Sequence, residues 1–322
     1  MLVRAHPDCL AHVPSLGHPD PPARQRVVLE ALAGAAEAAW QVEERAALPA
    51  EVDVLGALAW LHDPGHLERV RAASAAAPGF VDSPDCPVSP GTFRAAVAAA
   101  GLSLQTALDL ANGRLQRAFV VTRPPGHHAE ASRAHGFCFF NNVAVAAETI
   151  VRAWNAPVLI VDFDVHHGNG TQRMFYHRRD VGYLSVHRYP FFPGTGQGDE
   201  VGEGAGRGTT LNFPLAAGAD DEVYVAALES GLEQMGRRMR PAAILVSAGF
   251  DAHRDDPLGG MGLSSEGFQR MTVAIVQAAT TWSGGRVLSF LEGGHRLKVV
   301  AECALVHVRE LARGEGHGRP ED

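Results

Sequence analysis

The sequence predicts an α/β protein built on a mostly parallel sheet with helices on both faces. Two observations carry this. Short, continuously apolar, β-branched runs, of which Val158–Asp162 is the clearest, alternate with longer segments whose apolar residues recur at helical spacing. Polar and glycine-rich stretches then gather directly after the strand candidates, which is where open parallel sheets bind ligands.

In chain order, a Pro-rich loop at 18–22 precedes an Ala-rich helix at 24–48, and further helices fall at 64–74 and 91–111. Between the last two, residues 82–87 have the prolines and short polar residues of a fixed loop. Alternation then sets in. Strands are predicted at 118–122, 158–162, 181–186, 209–213, 243–247 and 286–291, and helices at 139–154, 168–176, 220–239, 264–282 and 295–312. No repeat or low-complexity linker divides the chain, so residues 1–312 are read as one domain and 313–322 as a flexible tail.

Composition narrows the function classes. The 322 residues suffice for a sizeable core, and 46% hydrophobic with 20% charged residues is the balance of a soluble globular protein. Twenty-eight basic against 36 acidic residues leaves a net charge of −8, which argues against direct nucleic-acid binding and suits cationic substrates. The four cysteines form no Cys-x-x-Cys pair, so neither a disulfide framework nor a thiolate metal site is expected. No secretory leader or bilayer-length apolar run is apparent, and a cytoplasmic protein without membrane association is expected.

The chemistry concentrates at 158–170. Asp162, Asp164 and His166 alternate where the strand ends, so an extended backbone projects all three to one side. Asp164 and His166 are metal-ligand types, and Asp251, just past another strand and after Gly249, supplies a third. Two carboxylates and one imidazole leave an open position, the mark of a catalytic zinc site, and the donor set also admits Fe(II), Co(II) or Mn(II). His127 and His128 sit on a loop stiffened by two prolines, suited to moving protons beside the metal, with Asp162 and Asn169 as partners to orient their rings.

These stretches carry a resemblance. Pro-Pro-Gly-His-His at 124–128, Asp-Phe-Asp-Val-His-His-Gly-Asn-Gly-Thr-Gln at 162–172 and Ser-Ala-Gly-Phe-Asp-Ala-His at 247–253 resemble motifs of the zinc-dependent histone deacetylase superfamily, which includes the acetylpolyamine amidohydrolases. Phe-Phe-Pro-Gly-Thr-Gly at 191–196 and Leu-Glu-Gly-Gly-His at 291–295 match too, in the family's order. The resemblance implies the arginase/deacetylase fold and hydrolysis of an N-acyl amide by zinc-activated water. It implies zinc on Asp164, His166 and Asp251, His128 as general base and acid, and His127 paired with Asp162 as its electrostatic partner. Asn169 is the class II counterpart of a second Asp. Phe137 and Phe192 would wall an acyl-lysine tunnel, with Gly136, Gly294 and Asp85 also on the substrate side. A structural potassium ion would sit on Asp162, Asp164, His166 and Ser185.

One position departs from the family pattern. Most such deacetylases carry a tyrosine where this chain has His295, and class IIa members resemble it in carrying histidine. Losing one oxyanion donor costs on the order of 10² to 10³ in rate, so weak turnover of plain acetyl-lysine is expected, with better turnover of activated acyl groups such as trifluoroacetyl. The competing readings are a deacylase of acylated polyamines, favoured by Asp82, Asp85 and Glu130 near the expected mouth, and a binding module for acylated amines. A homo-oligomer is left open.

Overall fold

The computed structural model describes residues 1–35, 39–45, 48 and 52–313. In chain order its elements are β1 (Leu2–Ala5), α1 (Ala23–Ala33), β2 (Gln41–Glu44), α2 (Val54–Leu58), α3 (Pro64–Ala75), β3 (Gly79–Phe80), β4 (Pro87–Val88), α4 (Thr92–Ala111) and β5 (Arg117–Val120). Then follow α5 (Asn142–Trp154), β6 (Val158–Asp162), α6 (Asn169–Phe175), β7 (Val181–Arg188), β8 (Thr210–Leu215), α7 (Asp221–Met239), β9 (Ile244–Ala248), α8 (Ser265–Trp282), β10 (Val287–Leu291) and α9 (Leu297–Arg313).

Eight strands form one all-parallel sheet in the order β2-β1-β5-β10-β9-β6-β7-β8. The period-two side-chain alternation of a strand divides it between two cores. Leu159 and Val161 of β6 join Phe119, Leu184 and Val246 under α1, α7, α8 and α9, while Val158 and Ile160 join Val120, Leu245 and Leu288 under α4 and α5. A sheet buried on both faces explains why its strands read as continuous apolar runs. At roughly 1.5–3 kcal/mol per buried aliphatic or aromatic side chain, these two layers fix the sheet whose edge carries the site.

Three expectations change. The helix expected at 24–48 ends at Ala33, and Gln41–Glu44 is a strand, paired with β1 from Leu2 opposite Gln41 to Ala5 opposite Glu44; part of that interval lies outside the described residues. β1 itself was not anticipated. The loop at 82–87 is flanked by a two-stranded antiparallel ribbon, β3 against β4. The expected tail from 314 onward lies outside the described residues. Among the described residues, no helix is long and apolar enough to cross a membrane.

Candidate active site

Five neighbouring strands, β5, β10, β9, β6 and β7, end at one edge, and the loops that follow them meet there. Hydrogen bonds beyond the strand ends lock these loops together: Phe163 N donates to Ser247 O (3.2 Å), Glu292 N to Ala248 O (3.0 Å), Phe250 N to Gly293 O (3.1 Å) and Thr122 Oγ1 to Leu291 O (2.6 Å). The result is a cavity of about 230 Å³. Its floor is Asp164, His166, Asp251, His127 and His128, and its walls include Phe137, Phe192, Gly136, Asp85 and His295.

Asp164, His166 and Asp251 each offer a ligand atom, all within 4.8 Å of one another. His166 Nδ1 lies 3.1 Å from Asp164 Oδ1 and 3.3 Å from Asp251 Oδ2. Two features fit a cation here. Asp251 Oδ2 is buried and makes no hydrogen bond among the described residues, an expensive state for a carboxylate oxygen unless something else neutralises it. A Cβ at Gly293 would also lie 2.3 Å from Asp251 Oδ2 and 2.4 Å from Asp164 Oδ2, so only glycine leaves those oxygens clear. Burial and the neighbouring Asp164 push Asp251 above the usual carboxylate range. Burial acts upward on Asp164 too, but His127 and His166 outweigh it and hold Asp164 well below that range. Two such carboxylates and a histidine form a donor set for a divalent ion with an open position.

The two adjacent histidines are oriented separately. His127 Nδ1 is 3.0 Å from Asp162 Oδ2, which also accepts from Tyr183 Oη at 3.0 Å. Burial disfavours the charged ring, but Asp162 and Asp164 outweigh it and raise His127 to about 10. His128 Nδ1 is 2.8 Å from Asn169 Oδ1. Burial first, and then the positive His127 and His166, push His128 well below the usual histidine range. One ring is thus held charged beside another held neutral, which separates an electrostatic role from a proton-accepting one.

The walls are aromatic and narrow. Phe192 meets His128 edge-on at 5.2 Å, and Phe137 packs against His18 at 4.6 Å and faces His295 at 6.3 Å. Phe137 adopts φ 66°, a left-handed conformation uncommon for a bulky residue and found where the surroundings dictate it. Asp85 accepts from Gly136 N through Oδ2 (2.9 Å), and its Oδ1 is buried with no hydrogen-bond partner among the described residues.

The structure moves some expected residues and adds others. Gly293, not Gly294, lines the cavity, because the Gly294 carbonyl is turned away to accept from Arg24 Nε at 2.7 Å. Asp82 and Glu130 are not at the mouth. Asp82 accepts from Ala134 N (2.9 Å), and Glu130 lies behind Asn169, facing a different and polar cavity. Ser185, opposite Asp162 in the β6–β7 register, sits with its Oγ 2.9 Å from His187 Nδ1.

Glu292 was missed altogether. Its Oε2 accepts from the backbone N of Gly126 (2.6 Å) and His127 (3.2 Å), tying β10 to the histidine loop, and burial raises it to about 7. Asp256 was missed too: its carboxylate accepts from His295 N (2.6 Å) and lies 3.2 Å from His295 Nδ1. Neither partner follows a local spacing rule, so only tertiary structure reveals it.

Comparison with known proteins matches this geometry to one family. A family profile described as the histone deacetylase domain matches residues 18–311. The chain is 37% identical over 299 residues to a histone deacetylase-like amidohydrolase of Pseudomonas aeruginosa, covering 92% of this chain and 77% of that one. It is 37% identical over 300 residues to histone deacetylase 15 of Arabidopsis thaliana, covering 91% of this chain but only 52% of the plant protein. The crystal structure of an acetylpolyamine aminohydrolase from Burkholderia pseudomallei superposes with a TM-score of 0.83 at 31% identity, covering 97% of this chain and 98% of that one.

Proposed function

The chain belongs to the histone deacetylase family, and from that premise we propose that it is a metal-dependent amidohydrolase removing acetyl-type acyl groups from lysine side chains or similar amines. The observation that carries this is the convergence, in one buried cavity, of the Asp164, His166 and Asp251 cluster with two histidines of opposite charge preference. Zinc is the first choice of metal, with Fe(II) or Co(II) compatible with the same donors. A divalent ion held there would polarise the scissile carbonyl and acidify the attacking water.

The remaining steps belong to the protein. The Phe137 and Phe192 walls hold the acyl-bearing chain and exclude bulk water. His128, with Nδ1 engaged by Asn169, takes the proton of the attacking water at Nε2 and returns it to the departing amine nitrogen. Amide and water thus give carboxylate and ammonium. His127 stays protonated against Asp162 and stabilises negative charge on the reacting carbonyl. The unpaired Oδ1 of Asp85 accepts from a substrate N–H at the mouth. A structural potassium ion on Asp162, Asp164, His166 and Ser185 is part of the same proposal.

His295 limits the rate. Asp256 Oδ1 also accepts from Leu258 N (2.9 Å), so it faces His295 Nδ1 as an acceptor and draws the ring proton to that nitrogen. The Nε2 of a neutral His295 then offers a lone pair, not a hydrogen, to a developing oxyanion. Turnover of acetyl-lysine is therefore slow, and trifluoroacetyl-lysine, whose carbonyl is more electrophilic, is the better substrate.

A second reading, deacylation of acylated polyamines, draws on the same Asp85 oxygen, which also suits an ammonium group. A panel of acetyl- and trifluoroacetyl-lysine peptides and acetylated polyamines, assayed with zinc, iron or cobalt, tests both. Faster turnover of the polyamines would favour the second reading, and no turnover of any member would overturn both.

A further inference from the structure

Behind His128, away from the proposed substrate, runs a chain of hydrogen bonds that the family match does not interpret. His128 Nδ1 lies 2.8 Å from Asn169 Oδ1, and Asn169 Nδ2 donates to Glu130 Oε1 at 2.8 Å. The order of atoms in this chain is not free. An ionised carboxylate only accepts, so Glu130 requires the NH₂ end of the Asn169 amide to face it. The amide oxygen must then face His128, and an amide oxygen also only accepts, so Nδ1 of His128 must carry the ring proton. Nε2 is left as a lone pair in a ring that lines the cavity.

Without Glu130 the amide has no such instruction. Rotated by half a turn, Asn169 would present N–H to Nδ1 and move the proton to Nε2, where the ring could not act as a base. With an aspartate at 169 the problem would not arise, since both ends of a carboxylate accept. Asparagine at this position therefore calls for a second residue to choose its orientation.

Glu130 is placed for that task by its own backbone. Its N–H donates to Arg133 O (2.9 Å), and its carbonyl oxygen is 3.0 Å from His62 Nδ1. Its other carboxylate oxygen lies 3.5 Å from Arg173 at the rim of the polar cavity, the one cationic partner in contact with it.

We propose that Glu130 is a positioning residue that sets the Asn169 amide and through it the His128 tautomer, leaving Nε2 unprotonated toward the substrate. The kinetic consequence rests on the deacylase reading; the tautomer does not, and is read directly.

The test is a double-substitution cycle with a spectroscopic arm. Glu130→Gln, isosteric but able to face Asn169 with either end, should lower kcat on trifluoroacetyl-lysine peptide by about 10-fold, with KM little changed. In an Asn169→Asp background the same substitution should lose that penalty. Two-bond ¹⁵N–¹H spectra of histidine-labelled, metal-free protein should show His128 as the Nδ1–H tautomer in the wild type and as a mixture in Glu130→Gln. An unchanged kcat in Glu130→Gln, an equal loss in both backgrounds, or a His128 pattern identical in wild type and variant would each overturn the proposal. If the wild type turns over no acyl substrate, the deacylase reading fails while the spectra still decide the tautomer.

Discussion

His295 and its partner Asp256 show what one residue can change in a site whose other groups are in place. The Asp256 carboxylate holds both the backbone N–H and the ring of His295, so the ring stays in the wall with its donor hydrogen pointing away from the cavity. Replacing His295→Tyr supplies a phenol that donates. Turnover of acetyl-lysine should rise by about 10²- to 10³-fold, measured as kcat on an acetyl-lysine peptide; no gain would show that His295 does not limit the chemistry. At this scale the sequence was informative wherever local spacing governs. Asp162, Asp164 and His166 are two apart on an extended strand end, so their convergence could be read directly. It was silent on Asp256, Glu292 and Glu130, whose partners lie 39 to 166 residues away, and on which way Glu130 turns.

Among the elements, α8, α9 and β10 meet at a buried histidine. His307 of α9 is held between Thr272 Oγ1 of α8 (2.7 Å from Nδ1) and Ser289 Oγ of β10 (2.8 Å from Nε2), and burial lowers it to about 3. His62, after α2, is likewise lowered by burial to about 3. Both titrate near 6.5 when unfolded, so the unfolded chain takes up protons that the folded chain refuses. Their neutral burial costs nothing above pH 6.5. As pH falls from there toward 3, each should remove about 1.4 kcal/mol of stability per pH unit. Unfolding at pH 5 should therefore take up about one proton fewer in His307→Gln than in the wild type, measured from the pH dependence of the denaturation midpoint.

Elements were legible where burial imposes a period. β6 and β9 are apolar throughout, and α7 and α8 carry side-chain caps at Asp220 and Ser264. β2 was not legible: Gln-Val-Glu-Glu has little intrinsic strand preference and is a strand because β1 offers it an open edge. The half-exposed edge also explains its polar sequence.

For the molecule as a whole, the sheet is a rigid frame and the metal cluster is its least comfortable part. We propose that residues 1–312 unfold as one unit, giving a single transition in calorimetry. Asp251→Asn should remove the repulsion between two buried carboxylates and stabilise metal-free protein by roughly 0.5–2 kcal/mol. The same substitution should abolish the rise in Tm that zinc gives the wild type, a rise worth about 2.7 kcal/mol when zinc is at 100 times its Kd. A variant that is more stable without metal and indifferent to it would show that these carboxylates are kept for binding, at the expense of folding. The fold class was legible at this scale because alternating strands and helices admit few architectures. The substrate was not, since the cavity fixes the width of the acyl-bearing chain and leaves what lies beyond the mouth open.

The most direct test of the account is a metal titration of the purified protein with trifluoroacetyl-lysine peptide as substrate. After chelation and removal of the chelator, turnover should be absent and should rise linearly with added zinc to a plateau at one equivalent; Asp251→Asn should show no such rise. Turnover by the metal-free protein, or a plateau unrelated to one equivalent, would contradict it.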